Sequence, residues 1–89
     1  MKIVINTCYG GFGLSKEFKE KYPNFNDSTE RDNPKFIKAL EEFGLENAGD
    51  EYADLEIIEL KEGVTDWLIE DDDGCETLVF VQNGKLHFH

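Results

Sequence analysis

Cys8-Tyr9-Gly10-Gly11-Phe12-Gly13-Leu14-Ser15 places three glycines within four positions, between an apolar run and a charged one. Upstream, Lys2-Ile3-Val4-Ile5 is β-branched and apolar, the composition of a buried strand. Downstream, Ser15 is a good N-cap for a helix that begins at Lys16. The junction reads as strand, glycine turn, helix. A junction of that kind aims backbone N–H groups and the positive end of a helix dipole at one point, which is how many proteins hold a phosphate or carboxylate. Glycine's access to positive φ explains the same residues with no ligand at all.

Working outward, the first helix carries Leu14, Phe18 and Tyr22 as a narrow apolar stripe among Lys16, Glu17, Lys19, Glu20 and Lys21, and Pro23 stops it. Residues 23–33 have no hydrophobic period and are rich in turn formers, which predicts a loop pinned by Phe25 and otherwise mobile. A second helix is well signalled. Asn33 caps it, Pro34 takes the first helical position, Phe36, Ile37, Leu40 and Phe43 share one face, and Gly44 ends it with Leu45 folded back on Leu40. Leu55-Glu56-Ile57-Ile58-Glu59-Leu60 then reads as an interior strand, apolar on both faces at its centre. Strand, helical material and strand in succession predict a right-handed crossover, with residues 55–60 parallel to residues 2–6.

Thr65 to His89 reads as an antiparallel meander with turns at Asp72-Asp73-Gly74 and Asn83-Gly84. A two-residue turn at Asn83-Gly84 sets Gln82 opposite Lys85, Val81 opposite Leu86 and Val79 opposite Phe88. All four apolar side chains then share one face, which is expected to be core. Leu78, Phe80, His87 and His89 fall on the other face, joined by Trp67 and Ile69 if the acidic turn is even. Both faces are apolar. Either the helices divide between them or an aromatic-bearing face is left for a partner, and a bulge in the acidic turn would swap the third strand. The expected fold is α+β: one small domain spanning 1–89 in the order β-α-α-β-β-β-β, with a C-terminal antiparallel meander and two helices packed on the sheet.

Composition narrows the partners. At 89 residues the chain supports one modest core, and 39% apolar and 12% aromatic residues are enough to order it. Twenty Asp and Glu against nine Lys and Arg give a formal charge of −11, which repels nucleic-acid backbones and anionic membranes and favours a basic protein surface. No apolar run approaches the length of a membrane helix, and Met1-Lys2 leads into the first strand without signal-peptide regions, so cytoplasmic residence is expected, with both thiols reduced. No cofactor is expected, and a homodimer is left open.

Each candidate for chemistry has a plainer competitor. The glycine turn has no Lys-Ser or Lys-Thr after its last glycine, so it is not a Walker loop, and the third glycine of a dinucleotide fingerprint would fall at Lys16. An anion- or nucleotide-binding module would use Cys8, Gly10, Gly11, Gly13 and Ser15. Cys8, at a strand end ahead of a helix start, is placed for thiol chemistry, but nothing in the sequence brings His87 or His89 to it as a base. The expectation is therefore not an enzyme. His87 and His89 share a strand face with Glu76 and could chelate a metal, although two ligands are not a site. Glu70-Asp71-Asp72-Asp73-Gly74 lacks the alternating ligands of an EF-hand and reads as a solvated acidic turn, available to a basic partner.

The opening Ile-Asn-Thr-Cys-Tyr-Gly-Gly-Phe-Gly-Leu-Ser resembles that of an uncharacterised group of small bacteriophage and bacterial proteins. Asp32-Asn33-Pro34-Lys35 with its helix, Tyr52 to Leu60, and Trp67-Leu68-Ile69-Glu70 before an acidic turn and glycine recur there in the same order. That group carries no activity or catalytic residue to transfer. The resemblance and the acidity together suggest a phage-type inhibitor of a host or defence nucleic-acid-binding protein, as anti-CRISPR proteins are, with Trp67, Glu70, Asp71, Asp72, Asp73 and Phe80 meeting the partner.

Overall fold

The computed structural model describes residues 1–89 and is α+β. The elements are β1 (Lys2–Asn6), α1 (Lys16–Lys21), α2 (Pro34–Phe43), α3 (Leu45–Ala48), β2 (Leu55–Glu59), β3 (Val64–Asp72), β4 (Cys75–Gln82) and β5 (Lys85–Phe88). β1 pairs with β2, and β3, β4 and β5 form a second sheet in that order. No helix is long and apolar enough to cross a membrane.

The expected parallel pairing of β1 and β2 is overturned. They run antiparallel, with Ile3 opposite Ile58 and Val4 opposite Ile57. The cause lies in the connection, where a short third helix follows α2 and delivers the chain back to the glycine turn. Ser15 N–H donates to Ala48 C=O at 2.7 Å, Asp50 N–H donates to Gly13 C=O at 3.0 Å, and Leu14 bridges Gly49. The chain therefore re-enters the sheet at the end where β1 left it, and β2 has to run the other way.

Alternation along β1 divides the interior in two. Val4 faces the helices, in a cluster with Phe18, Phe36, Leu40 and Leu55, while Ile3 and Ile5 face the second sheet, with Ile58, Leu60 and Leu78. The two-stranded sheet is thus the middle of three layers, which is why both its strands are apolar on both sides.

Local signals hold at the helix ends. Ser15 Oγ accepts from Phe18 N–H, and Asn33 Oδ1 accepts from Lys35 and Phe36 N–H at 3.0 and 3.3 Å. Gly44, at φ 98°, ends α2 and starts α3. Replacing Asn33 by Ala should cost about 1 kcal/mol in chemical denaturation, and Asn33→Asp should cost much less, because the carboxylate still caps. The 23–33 loop is tied in at more than Phe25: Asp27 Oδ1 accepts from Leu14 N–H, and Val4 N–H donates to Arg31 C=O, each at 3.0 Å.

The meander has the expected register, with Val79 opposite Phe88 and Val81 opposite Leu86. Its faces are reversed from expectation. Leu78, Phe80, Trp67 and Ile69 cover the second core, whereas Leu86 and Phe88 stand exposed. β1 and β2 can cover only one face of the second sheet, and the outer face of β3 carries Asp66, Glu70 and Asp72, which would be costly to bury.

Candidate functional site: an acidic hairpin seated on the glycine turn

The two motifs farthest apart in the sequence meet in space. β3 and β4 are joined by a two-residue turn with Asp73 at φ 51° and Gly74 at φ 93°, and this tip rests on the glycine turn. The approach is close enough that a β-carbon on Gly74 would lie 2.5 Å from Gly11 N and 2.6 Å from Tyr9 O.

Asn6, the last residue of β1, makes the joint. Its buried amide donates to Cys8 C=O at 2.6 Å and to Gly74 C=O at 2.8 Å, and its Oδ1 accepts from Asp54 N–H at 2.8 Å and from Cys8 N–H at 3.3 Å. One side chain holds the glycine turn, the acidic hairpin and the entry to β2. Beside it Glu76 accepts from Asn6 N–H at 2.7 Å and pairs in bidentate fashion with Arg31, at 2.6 and 2.8 Å, while the guanidinium lies 3.6 Å above the Phe12 ring.

The three motif glycines serve different needs. Gly11 takes φ +89°; Gly10 is required because a side chain there would run into the Tyr52 backbone, whereas a side chain at Gly13 would have to displace the Asp50 carboxylate. Leu14 N–H is already given to Asp27, and Ser15 Oγ is used between Phe18 N–H and Asn47 C=O. The chain's own carboxylates thus occupy the ground an incoming anion would need, and α1 is only six residues long. The geometry lends the anion-binding arrangement of Cys8, Gly10, Gly11, Gly13 and Ser15 no support.

Cys8 and Cys75 are free, half-buried thiols bordering the Asn6 joint. The histidines are engaged elsewhere: His87 stacks on Phe80 with centroids 5.3 Å apart, and His89 Nε2 lies 3.0 Å from Glu56 Oε1. Glu76 does share their face, but Arg31 and Asn6 hold its carboxylate. No three His, Cys, Asp or Glu side chains converge as a metal site.

Glu70, Asp71, Asp72 and Asp73 are all exposed at the hairpin tip, where Gly74 N–H donates to Asp71 Oδ1 at 2.7 Å. Exposed Tyr9 and Tyr52 belong to the same end of the molecule, on either side of the Gly10 contact. Trp67 and Phe80, expected to meet a partner, are half-buried over the second core.

Asn6 and Arg31 are not singled out by the sequence, and Glu76 only as a possible metal ligand, though each left a trace. Asn at a strand end before a turn is an Asx-turn signal, Arg31 is the chain's sole arginine, and Glu76 interrupts an apolar strand. Comparison with protein-family models, curated proteins and solved structures finds no match to this chain.

Proposed function

We propose that this is a small acidic interaction protein that occupies the basic, nucleic-acid-binding surface of a host or defence protein and so inhibits it. The observation that carries the reading is the seating of the acidic tip: within a chain of formal charge −11, four consecutive exposed acids stand on a hairpin clamped to the glycine turn. Fixed charges steer an encounter without the ordering cost of a loose tail. The choice of a host or defence protein as partner rests on the resemblance to the bacteriophage group.

The test is capture of partners from bacterial lysate, followed by association kinetics with the captured protein across 0.01 to 0.15 M salt, where the Debye length falls from about 30 Å to about 8 Å. Association should slow as salt rises. Neutralising Glu70→Gln, Asp71→Asn, Asp72→Asn and Asp73→Asn together should lower the low-salt association rate by about tenfold or more and raise the dissociation rate by a smaller factor. Asn at 71 keeps the oxygen that Gly74 N–H uses, so the hairpin survives. A rate indifferent to both salt and neutralisation would overturn the proposal.

A further inference from the structure

Alternation along the second sheet sorts its side chains into two unlike faces. By register the outer face has four rows: Asp66, Val81 and Leu86; Leu68, Val79 and Phe88; Glu70 and Thr77; Asp72 and Cys75. The first two rows are apolar apart from Asp66, and Leu68, Leu86 and Phe88 keep 51, 60 and 64% of their surface exposed. Val79 is buried between its row neighbours Leu68 and Phe88, so the patch is contiguous rather than scattered, and contiguous exposed apolar surface marks a contact site. Every charged residue on this face is acidic; Lys85 and both histidines fall on the opposite parity.

We propose that this outer face of β3, β4 and β5 seats a cationic amphipathic helix of a partner protein. This deepens the acidic-interaction reading and rests on it. Charge complementarity selects the occupant. Asp66, Glu70 and Asp72 call for Lys or Arg around an apolar stripe, whereas a second copy would bring two chains of charge −11 together. Spacing selects the form. Rows on one sheet face repeat about every 6.8 Å, close to the rise of about 6 Å between helix positions i and i+4. A helix laid along the strands therefore meets the first two rows with apolar residues at i and i+4. It meets Glu70 and Asp72 with basic residues one and two turns further on, over about 14 residues in all. Stacking a helix on an open sheet face is also the ordinary way to complete a layer.

The test uses two synthetic 18-residue helical peptides with the same Leu stripe, one with Lys on its polar positions and one with Glu. Titration of the isotopically labelled protein should show saturable binding of the Lys peptide, with amide shifts centred on Leu68, Val79, Val81, Leu86 and Phe88, and none of the Glu peptide. Leu86→Ser with Phe88→Ser should weaken the Lys peptide by at least tenfold; Leu86→Ser alone, at an exposed position, guards against loss of the hairpin and should weaken it severalfold. Shifts centred on Tyr9 and Tyr52, affinity indifferent to these variants, or a wild-type dimer in sedimentation that Leu86→Ser abolishes would each overturn the proposal. Salt-sensitive lysate capture undiminished by Leu86→Ser with Phe88→Ser would sink this surface while leaving the acidic reading intact; capture indifferent to the four neutralisations would sink that reading itself.

Discussion

Replacing Arg31 by Met is expected to destabilise the protein by about 3–5 kcal/mol, a large share of the roughly 5–15 kcal/mol that holds a domain of this size together. The Glu76 side chain is only 7% exposed, and both its oxygens are taken by the guanidinium. Without Arg31 a buried carboxylate keeps a single donor, Asn6 N–H, in a place water cannot easily reach. Phe12 also loses the guanidinium stacked 3.6 Å above it. The pair itself has little net worth, since desolvating two charges offsets most of their attraction. Arg31→Met combined with Glu76→Gln, which removes the charge while its amide oxygen still accepts from Asn6 N–H, should therefore recover much of what the single change loses. Urea unfolding, read as a shift in midpoint at constant slope, separates these outcomes. A cost below about 1 kcal/mol for Arg31→Met would mean that the carboxylate rehydrates and that the pair behaves as a surface one.

Arg31 also illustrates what sequence could and could not convey. Signals that act within a few residues were legible: the Ser15 and Asn33 caps, the stop at Gly44, and the Asn83-Gly84 turn that fixes the register of β4 and β5. Each depends on local backbone chemistry, which tertiary contacts did not override. The direction of β2 was not legible, because it hangs on four residues of α3 and one bridge between Leu14 and Gly49, too short to show a period. Nor was the covered face of the meander, since Val79, Val81, Leu86 and Phe88 are as apolar as Trp67, Ile69, Leu78 and Phe80. The acids alternating with Trp67 and Ile69 along β3 were the clue, visible only when the full length of the strand is weighed. For the candidate site, the acidic turn and the glycine turn could each be seen, but not that one sits on the other. That contact joins Gly74 to Gly11 across more than half the chain, and glycines carry no side-chain pattern to announce it.

That contact yields a controlled comparison. Gly74 and Gly84 occupy the same place in two two-residue hairpin turns, with φ of 93° and 79°, each preceded by a non-glycine at φ 51°. Alanine at either must adopt a left-handed backbone, a penalty of about 1–2 kcal/mol partly offset by the smaller entropy of its unfolded chain. At Gly84 nothing lies within 4 Å of the new β-carbon, so Gly84→Ala should cost only about 1 kcal/mol. At Gly74 the β-carbon meets backbone on both sides, 2.5 Å from Gly11 N and 2.6 Å from Tyr9 O, and no rotamer relieves it. The hairpin must lift off the glycine turn. Lifting breaks the bond from Asn6 Nδ2 to Gly74 C=O and leaves a buried amide short of a partner, at about 1–3 kcal/mol more. Gly74→Ala should thus cost about 3 kcal/mol or more, measured beside Gly84→Ala in the same denaturant series. Equal costs would show that the tip is not clamped. An unequal pair carries a functional consequence: Gly74→Ala leaves all four acids in place but frees their mounting, so salt should still slow association with a captured partner while dissociation becomes faster than in Gly84→Ala.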